Sequence, residues 1–128
     1  MNLCVTSTGK DIDSRIDEHF GRASYFLIVD TDTMDVLAVP NTAQAAGQGA
    51  GIRAAQIILD KGAEAVLTGI VGPNAFNALR AANIRIYVGA SGTDSVSKAV
   101  DRFKKDGYRE ASAPSGGPGR GGRFRGGR

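Results

Sequence analysis

The sequence predicts an α/β domain built on a mixed, five-stranded sheet with helices on its faces. Three observations carry that expectation. Apolar runs rich in β-branched and aromatic residues alternate with segments of helical spacing over residues 1–108. The first three strand-like runs follow one another with no helix between them, whereas each later one follows a helical segment. Glycine or proline marks most of the junctions.

Taken in order, "NLCVTST" (2–8) is β-rich and stops at Gly9. A polar segment, "GKDIDSRIDEHFGRA", follows and holds the single histidine, His19. "SYFLIVD" (24–30) and "MDVLAVP" (34–40) flank "TDT", the pattern of a hairpin with a short loop. "NTAQAAGQGAG" reads as a glycine-rich connection. "AGIRAAQIILDKG" sets Ile52, Ala55 and Leu59 at helical spacing, with Gly62 placed to end the helix. "AEAVLTG" reads as a short buried strand. "GPNAFNALRAAN" reads as a helix that starts at Pro73 and turns Phe76 and Leu79 to one side. "IRIYVG" is the fifth strand, and "DSVSKAVDRFKKDG" a last helix with Val96, Val100 and Phe103 inward.

The order is thus β-β-β-α-β-α-β-α. An antiparallel meander followed by two parallel crossovers gives strand order 3-2-1-4-5 in its simplest form. That is a ribonuclease-H-like, three-layer topology. The strand ends at Thr8, Gly69 and Gly89 then share one edge, where open α/β sheets place their ligands.

Charge divides the chain. Residues 114–128, "PSGGPGRGGRFRGGR", carry four Arg and no acid, and removing those charges from the overall +3 leaves −1 for residues 1–113. The segment also holds seven of the 18 glycines, too little apolar material to offset its ordering entropy. A globular domain over 1–108 and a disordered Gly/Arg-rich tail over 109–128 are therefore expected. One Cys excludes an internal disulfide, and neither a secretory leader nor a membrane-length apolar run is legible, which reads as cytoplasmic.

Several chemistries are excluded by counting. Cys4 falls inside the first strand, where a small buried hydrophobe is expected, so a Cys–His dyad is not built, and no Gly-x-Ser-x-Gly elbow is present. The first strand holds no carboxylate, which removes two-metal nuclease chemistry; Asp11, Asp13 and Asp17 lie in the loop. "GQGAGI" lacks the dinucleotide spacing, and "STGKD" is not a phosphate loop. Structural zinc needs four Cys or His ligands and a conventional iron–sulfur cluster about four thiolates, against one His and one Cys here. Any metal centre must arrive with most of its own ligands.

"CVTSTGKDIDSRIDEHFGRASYFLIVD", the "GQGAG" loop and "AEAVLTGIVGPNAFNALRAANIRIYVG" together resemble the dinitrogenase iron–molybdenum cofactor biosynthesis family. That family comprises the NifX- and NafY-like domains and the C-terminal part of NifB, and the resemblance runs over roughly residues 1–105. It implies a non-enzymatic domain that binds or carries a preformed iron–sulfur or iron–molybdenum-type cluster between donor and acceptor proteins. On the match of "DEHFGR", His19 is the candidate metal ligand, Phe20 an anchor, Gly21 the turn and Arg22 the cation. Gly72 and Asn74 suit a helix cap as well as an anion site. Asn41, Gly47, Gly49 and Gly69 are candidate crevice residues, and turn formation alone would also explain Asn41, Gly47 and Gly49. The competing reading makes His19 a loop residue bonded to Asp17 or Glu18. A different function altogether, RNA association, rests on the Arg/Gly tail, which could neutralise phosphates and stack bases.

Overall fold

The structure, a computed structural model, describes residues 1–115 of the chain. Strands β1 (Asn2–Ser7), β2 (Tyr25–Asp30), β3 (Val36–Pro40), β4 (Ala65–Leu67), β5 (Arg85–Val88) and β6 (Arg109–Glu110) form one sheet in the order β3-β2-β1-β4-β5-β6. Helices α1 (Ala50–Asp60), α2 (Pro73–Ala81) and α3 (Val96–Lys104) complete it. β1 pairs antiparallel with β2 and parallel with β4, so the expected 3-2-1-4-5 order is present. A sixth strand is added to the expected five. Arg109 and Glu110, assigned to the tail from sequence, pair antiparallel with β5, and Ala111 N donates to Ile86 O at 2.7 Å. The short edge strand takes up β5 backbone groups that would otherwise be unpaired. The rest of the expected tail, 116–128, lies outside the described residues.

Period-two alternation divides the core between the two sheet faces. Cys4, Phe26, Ile28, Val66 and Ile86 pack with Ala54, Ile58, Phe76 and Leu79 of α1 and α2. Leu3, Val5, Leu27, Val29 and Leu67 pack with Val96, Ala99 and Val100 of α3. β1 is covered on both sides, which is why it reads as a continuous apolar run. All three helices end in the same way. Beyond α1, Gly62 N donates to Leu59 O at 3.0 Å and Ala63 N to Ile58 O at 3.1 Å, with Gly62 at φ +82°. Asn83 and Asp106 take the same left-handed position after α2 and α3.

The buried face of α1 differs from the expected one. Ala50, Ala54, Ala55 and Ile58 are inward, while Ile52 and Leu59 are 49% and 40% exposed. The helix lies close to α2, and only its small side chains fit that approach.

Candidate functional site

The polar loop after β1 is pinned to the C-terminal edge of the sheet. Thr6 bonds out of the strand through its hydroxyl and its carbonyl: Thr6 Oγ1, fully buried, donates to Asp17 O at 2.6 Å and lies 2.8 Å from Thr68 Oγ1. Asp17 N returns a bond to Thr6 O at 3.0 Å. Ile70 N donates to Glu18 O at 2.7 Å and Phe20 N to Ile70 O at 3.3 Å, which sets His19 beside Ile70 as a one-residue parallel bridge. Gly69 makes this approach possible, since a Cβ there would stand 2.7 Å from Glu18 O. Gly69 is therefore a packing residue of the site, behind the loop.

After His19 the chain makes a short 3-10 turn, Phe20–Arg22. Phe20 is 1% exposed and packs on Phe26 with ring centroids 5.5 Å apart, so it anchors the turn to the core. Small residues then bring two helix starts against the turn. A Cβ on Gly21 would lie 3.1 Å from Gly51 Cα, and one on Gly51 would lie 2.8 Å from Ala75 Cβ. Gly51 is in the first turn of α1 and Ala75 in the first turn of α2. No larger side chain at either glycine is compatible with this spacing.

The result is a cleft of about 290 Å³ with His19, Phe20, Gly21 and Arg22 on one wall. Gly72, Asn74 and Ala75 at the start of α2 form another wall, with Gly51, Ile70, Pro73 and Ser115 completing it. Neither helix has a side-chain cap, and Gly72 and Gly49 occupy the N-cap positions. The first N–H groups of a helix lack intrahelical acceptors and carry about half a positive charge between them. Two such ends and the Arg22 guanidinium face the cleft, and among the described residues no carboxylate lines it. His19 and Arg22 are both exposed. The nearby acids are engaged elsewhere: Asp17 Oδ2 accepts from Ser24 N at 3.3 Å and Glu18 Oε2 from Gly92 N at 2.6 Å. Among the described residues no hydrogen bond occupies the His19 imidazole, so the bonding to Asp17 or Glu18 that would make it a bystander is not formed.

Six residues singled out from sequence thus meet in one cleft: His19, Phe20, Gly21, Arg22, Gly72 and Asn74. Asn41, Gly47, Gly49 and Gly69 do not line it. Asn41 is 5% exposed and supports the turn from behind, its Nδ2 donating to Ala23 O at 2.8 Å and Gly21 O at 3.3 Å. Gly47 and Gly49 have φ +69° and +79° with open space around them, so they shape the entry into α1. A larger groove, about 520 Å³, lies at the far end of α2 between Arg80, Arg85 and Glu110. Its charges are mixed, and it contains none of the residues that carry the loop's chemistry. Cys4 is fully buried, and desolvation pushes its thiol far above the ordinary range. Among the described residues no three His, Cys, Asp or Glu side chains come together to hold a metal ion.

Residues 1–106 match the family described as dinitrogenase iron–molybdenum cofactor. The chain belongs to that family. Its fold is also that of the apo form of the orange protein from Desulfovibrio gigas, at 41% identity and TM-score 0.86, covering 89% of this chain and 95% of that one. A Thermotoga protein described as a candidate NifB protein is 36% identical with TM-score 0.75, covering 85% and 91%. An uncharacterised protein of Methanocaldococcus jannaschii is 27% identical over 93 residues, 70% of this chain and 77% of its own length. The family match ends before β6 and before Ser115, the residue that completes the cleft lining. Among the described residues no helix is long and apolar enough to cross a membrane.

Sequence reasoning missed Gly51, Ile70, Ala75 and Ser115. Gly51 has a legible signal, as the last glycine of "GQGAG" and the one inside the helix, where glycine is costly without a packing reason. Ala75 and Ile70 enter only through tertiary approach. Nothing in the sequence marks Ser115.

Proposed function

We infer that this protein is a non-enzymatic carrier of a preformed, anionic iron–sulfur or molybdenum-containing cluster, taken from a donor protein and passed to an acceptor. The supporting observation is a cleft that, among the described residues, joins one unengaged imidazole to three sources of positive potential and no carboxylate. Sulfide-rich clusters are polyanions that bring their own ligands. His19 supplies a single replaceable bond to metal, which suits a cargo that must leave again. Arg22 and the starts of α1 and α2 hold the charge. The family membership and the likeness to a protein described in an apo form point the same way. The single thiol, Cys4, is buried in the same core cluster as Phe20 and does not line the cleft.

The test is anaerobic titration of the apo-protein with preassembled iron–sulfur cluster and, separately, with tetrathiomolybdate. Charge-transfer absorption is followed after desalting, for the wild type and His19→Ala. Retained colour that weakens in the variant is expected. Absence of retained colour in a folded wild-type protein overturns the carrier reading.

A further inference from the structure

The two edges of the sheet are protected unequally. β6 is two residues long and both are charged, Arg109 and Glu110, which blunts that edge against further pairing. β3 is five residues long, pairs with β2 without a bulge, and carries no charge. Val36 and Leu37 are 39% and 52% exposed, and among the described residues no strand lies beyond β3.

Hydrogen bonding fixes which groups that edge offers. Asp30 N donates to Asp35 O at 2.9 Å and Asn41 N to Ser24 O at 3.0 Å, on either side of the β2–β3 register. Antiparallel pairs alternate between hydrogen-bonded and non-bonded. Leu37 and Val39 therefore turn their backbone groups toward β2, and Val36 and Ala38 turn theirs outward. The usable window is closed at both ends. Met34 leaves the extended region at φ +65°, and Pro40 has no N–H to give. Its midpoint is Leu37.

We propose that β3 is a dimer interface, pairing antiparallel with β3 of a second copy about a two-fold axis at Leu37. Val36 of one copy then exchanges both of its backbone bonds with the partner's Ala38, and Leu37 faces the partner's Leu37. A second copy fits this edge for a reason of register. An axis at Val36 would need Met34 as a pairing residue, and an axis at Ala38 would need an N–H from Pro40. The Leu37 axis uses no residue outside the window. It also sets Asp35 opposite the partner's Val39, so like charges do not face each other across the pair. The exposed leucines meet on the face that carries Ile28 and α1. A pairing this short buries less than the roughly 800 Å² per partner of a standard interface, so the dimer exchanges with monomer. None of residues 35–39 lines the cleft, so the proposal stands apart from the carrier reading.

Sedimentation of the full chain between about 1 µM and 1 mM brackets the affinity of such an interface. The wild type is expected to pass from monomer to dimer over that range and to form nothing larger. Ala38→Pro removes an outward N–H that β2 does not use, and Leu37→Lys sets like charges opposite each other. Each is expected to weaken the dimer roughly tenfold or more, with circular dichroism and urea unfolding confirming the fold. Leu37→Cys reads the register directly. A non-bonded antiparallel pair has Cα atoms roughly 4.5 Å apart, inside the disulfide range of about 4.4–6.8 Å. Cys4 is buried, so the introduced thiol is the one that diamide oxidises in the folded chain. Leu37→Cys is expected to give a covalent dimer, and Val36→Cys, which faces the partner's Ala38, much less of one. A wild type that stays monomeric at every concentration overturns the proposal and leaves the edge to a strand of another protein. A dimer that both Ala38→Pro and Leu37→Lys leave intact overturns it too, as does equal cross-linking of Leu37→Cys and Val36→Cys.

Discussion

Gly69→Ala tests whether backbone crowding behind the loop holds the candidate site in place. The added Cβ would stand 2.7 Å from Glu18 O, 2.8 Å from Glu18 Cβ and 2.9 Å from Glu18 Cα. These are contacts with a neighbouring segment's main chain, so no side-chain rotation relieves them. Forcing a methyl into a packed junction costs about 1–3 kcal/mol. The Ile70 N to Glu18 O bond of 2.7 Å is lost or stretched as the loop moves, a further ~0.5–1.5 kcal/mol. Together these give a loss of about 1.5–4.5 kcal/mol, which for a domain of this size lowers Tm by roughly 6–18 °C. Gly72→Ala is the control. Gly72 lines the cleft, has φ −71°, and a Cβ there meets nothing within 4 Å, so the change is expected to cost no more than ~1 kcal/mol. Urea unfolding followed by circular dichroism measures both, and thiomolybdate affinity reports where His19 has gone. The Gly69 variant is expected to bind several-fold more weakly while still folded. Equal stability of the two variants would refute the claim that the Glu18–Gly69 contact pins the loop.

Two further outcomes follow from the same framework. Thr6→Val removes a buried hydroxyl that donates to Asp17 O at 2.6 Å and faces Thr68 Oγ1, leaving polar atoms unpaired, and is expected to cost about 1–3 kcal/mol in urea unfolding. Cys4 is fully buried and its thiol is held protonated by desolvation, so iodoacetamide at pH 8 is expected to label it only after denaturant is added; rapid labelling of the folded protein would contradict its placement between β2 and β4.

The fold was largely legible because its elements obey local rules. β1 reads as a central strand from "LCV", α2 starts at Pro73, and α1 ends at a left-handed Gly62. What was not legible depends on approach between distant segments. The inward face of α1 is set by its distance from α2 and the turn, and that distance admits Ala54 and Ala55 but not Ile52. β6 escaped notice because two polar residues, Arg109 and Glu110, form it through backbone bonds alone. At the site, the short motif from His19 to Arg22 announced itself, whereas Asn41 looked like a crevice residue and is a buried brace for the turn. The glycines divided in the same way. Gly21 and Gly51 are required by contact distances, while Gly47 and Gly49 are required by their φ angles, and a sequence presents both needs with the same letter.

On the carrier reading proposed above, the close packing at Gly21, Gly51 and Ala75 also links stability to cargo. Bringing two uncapped helix starts together beside an arginine concentrates roughly two positive charges at one surface, counting about half a charge per helix end. That arrangement gains nothing in the empty protein, where like partial charges repel and the first N–H groups have no intrahelical or side-chain acceptor. It is retained because the core on either side holds it: Phe20 and Phe26 beneath the turn, Ile58 and Leu79 beneath the helices. An anion that enters the cleft turns this repulsion into attraction, so its binding free energy adds directly to that of the folded state. At a hundredfold excess over Kd the linkage amounts to about 2.7 kcal/mol. A cationic ligand of similar size would confer none of this stabilisation, so a thermal shift that depends on the sign of the ligand's charge is the signature of a site built by these three small residues.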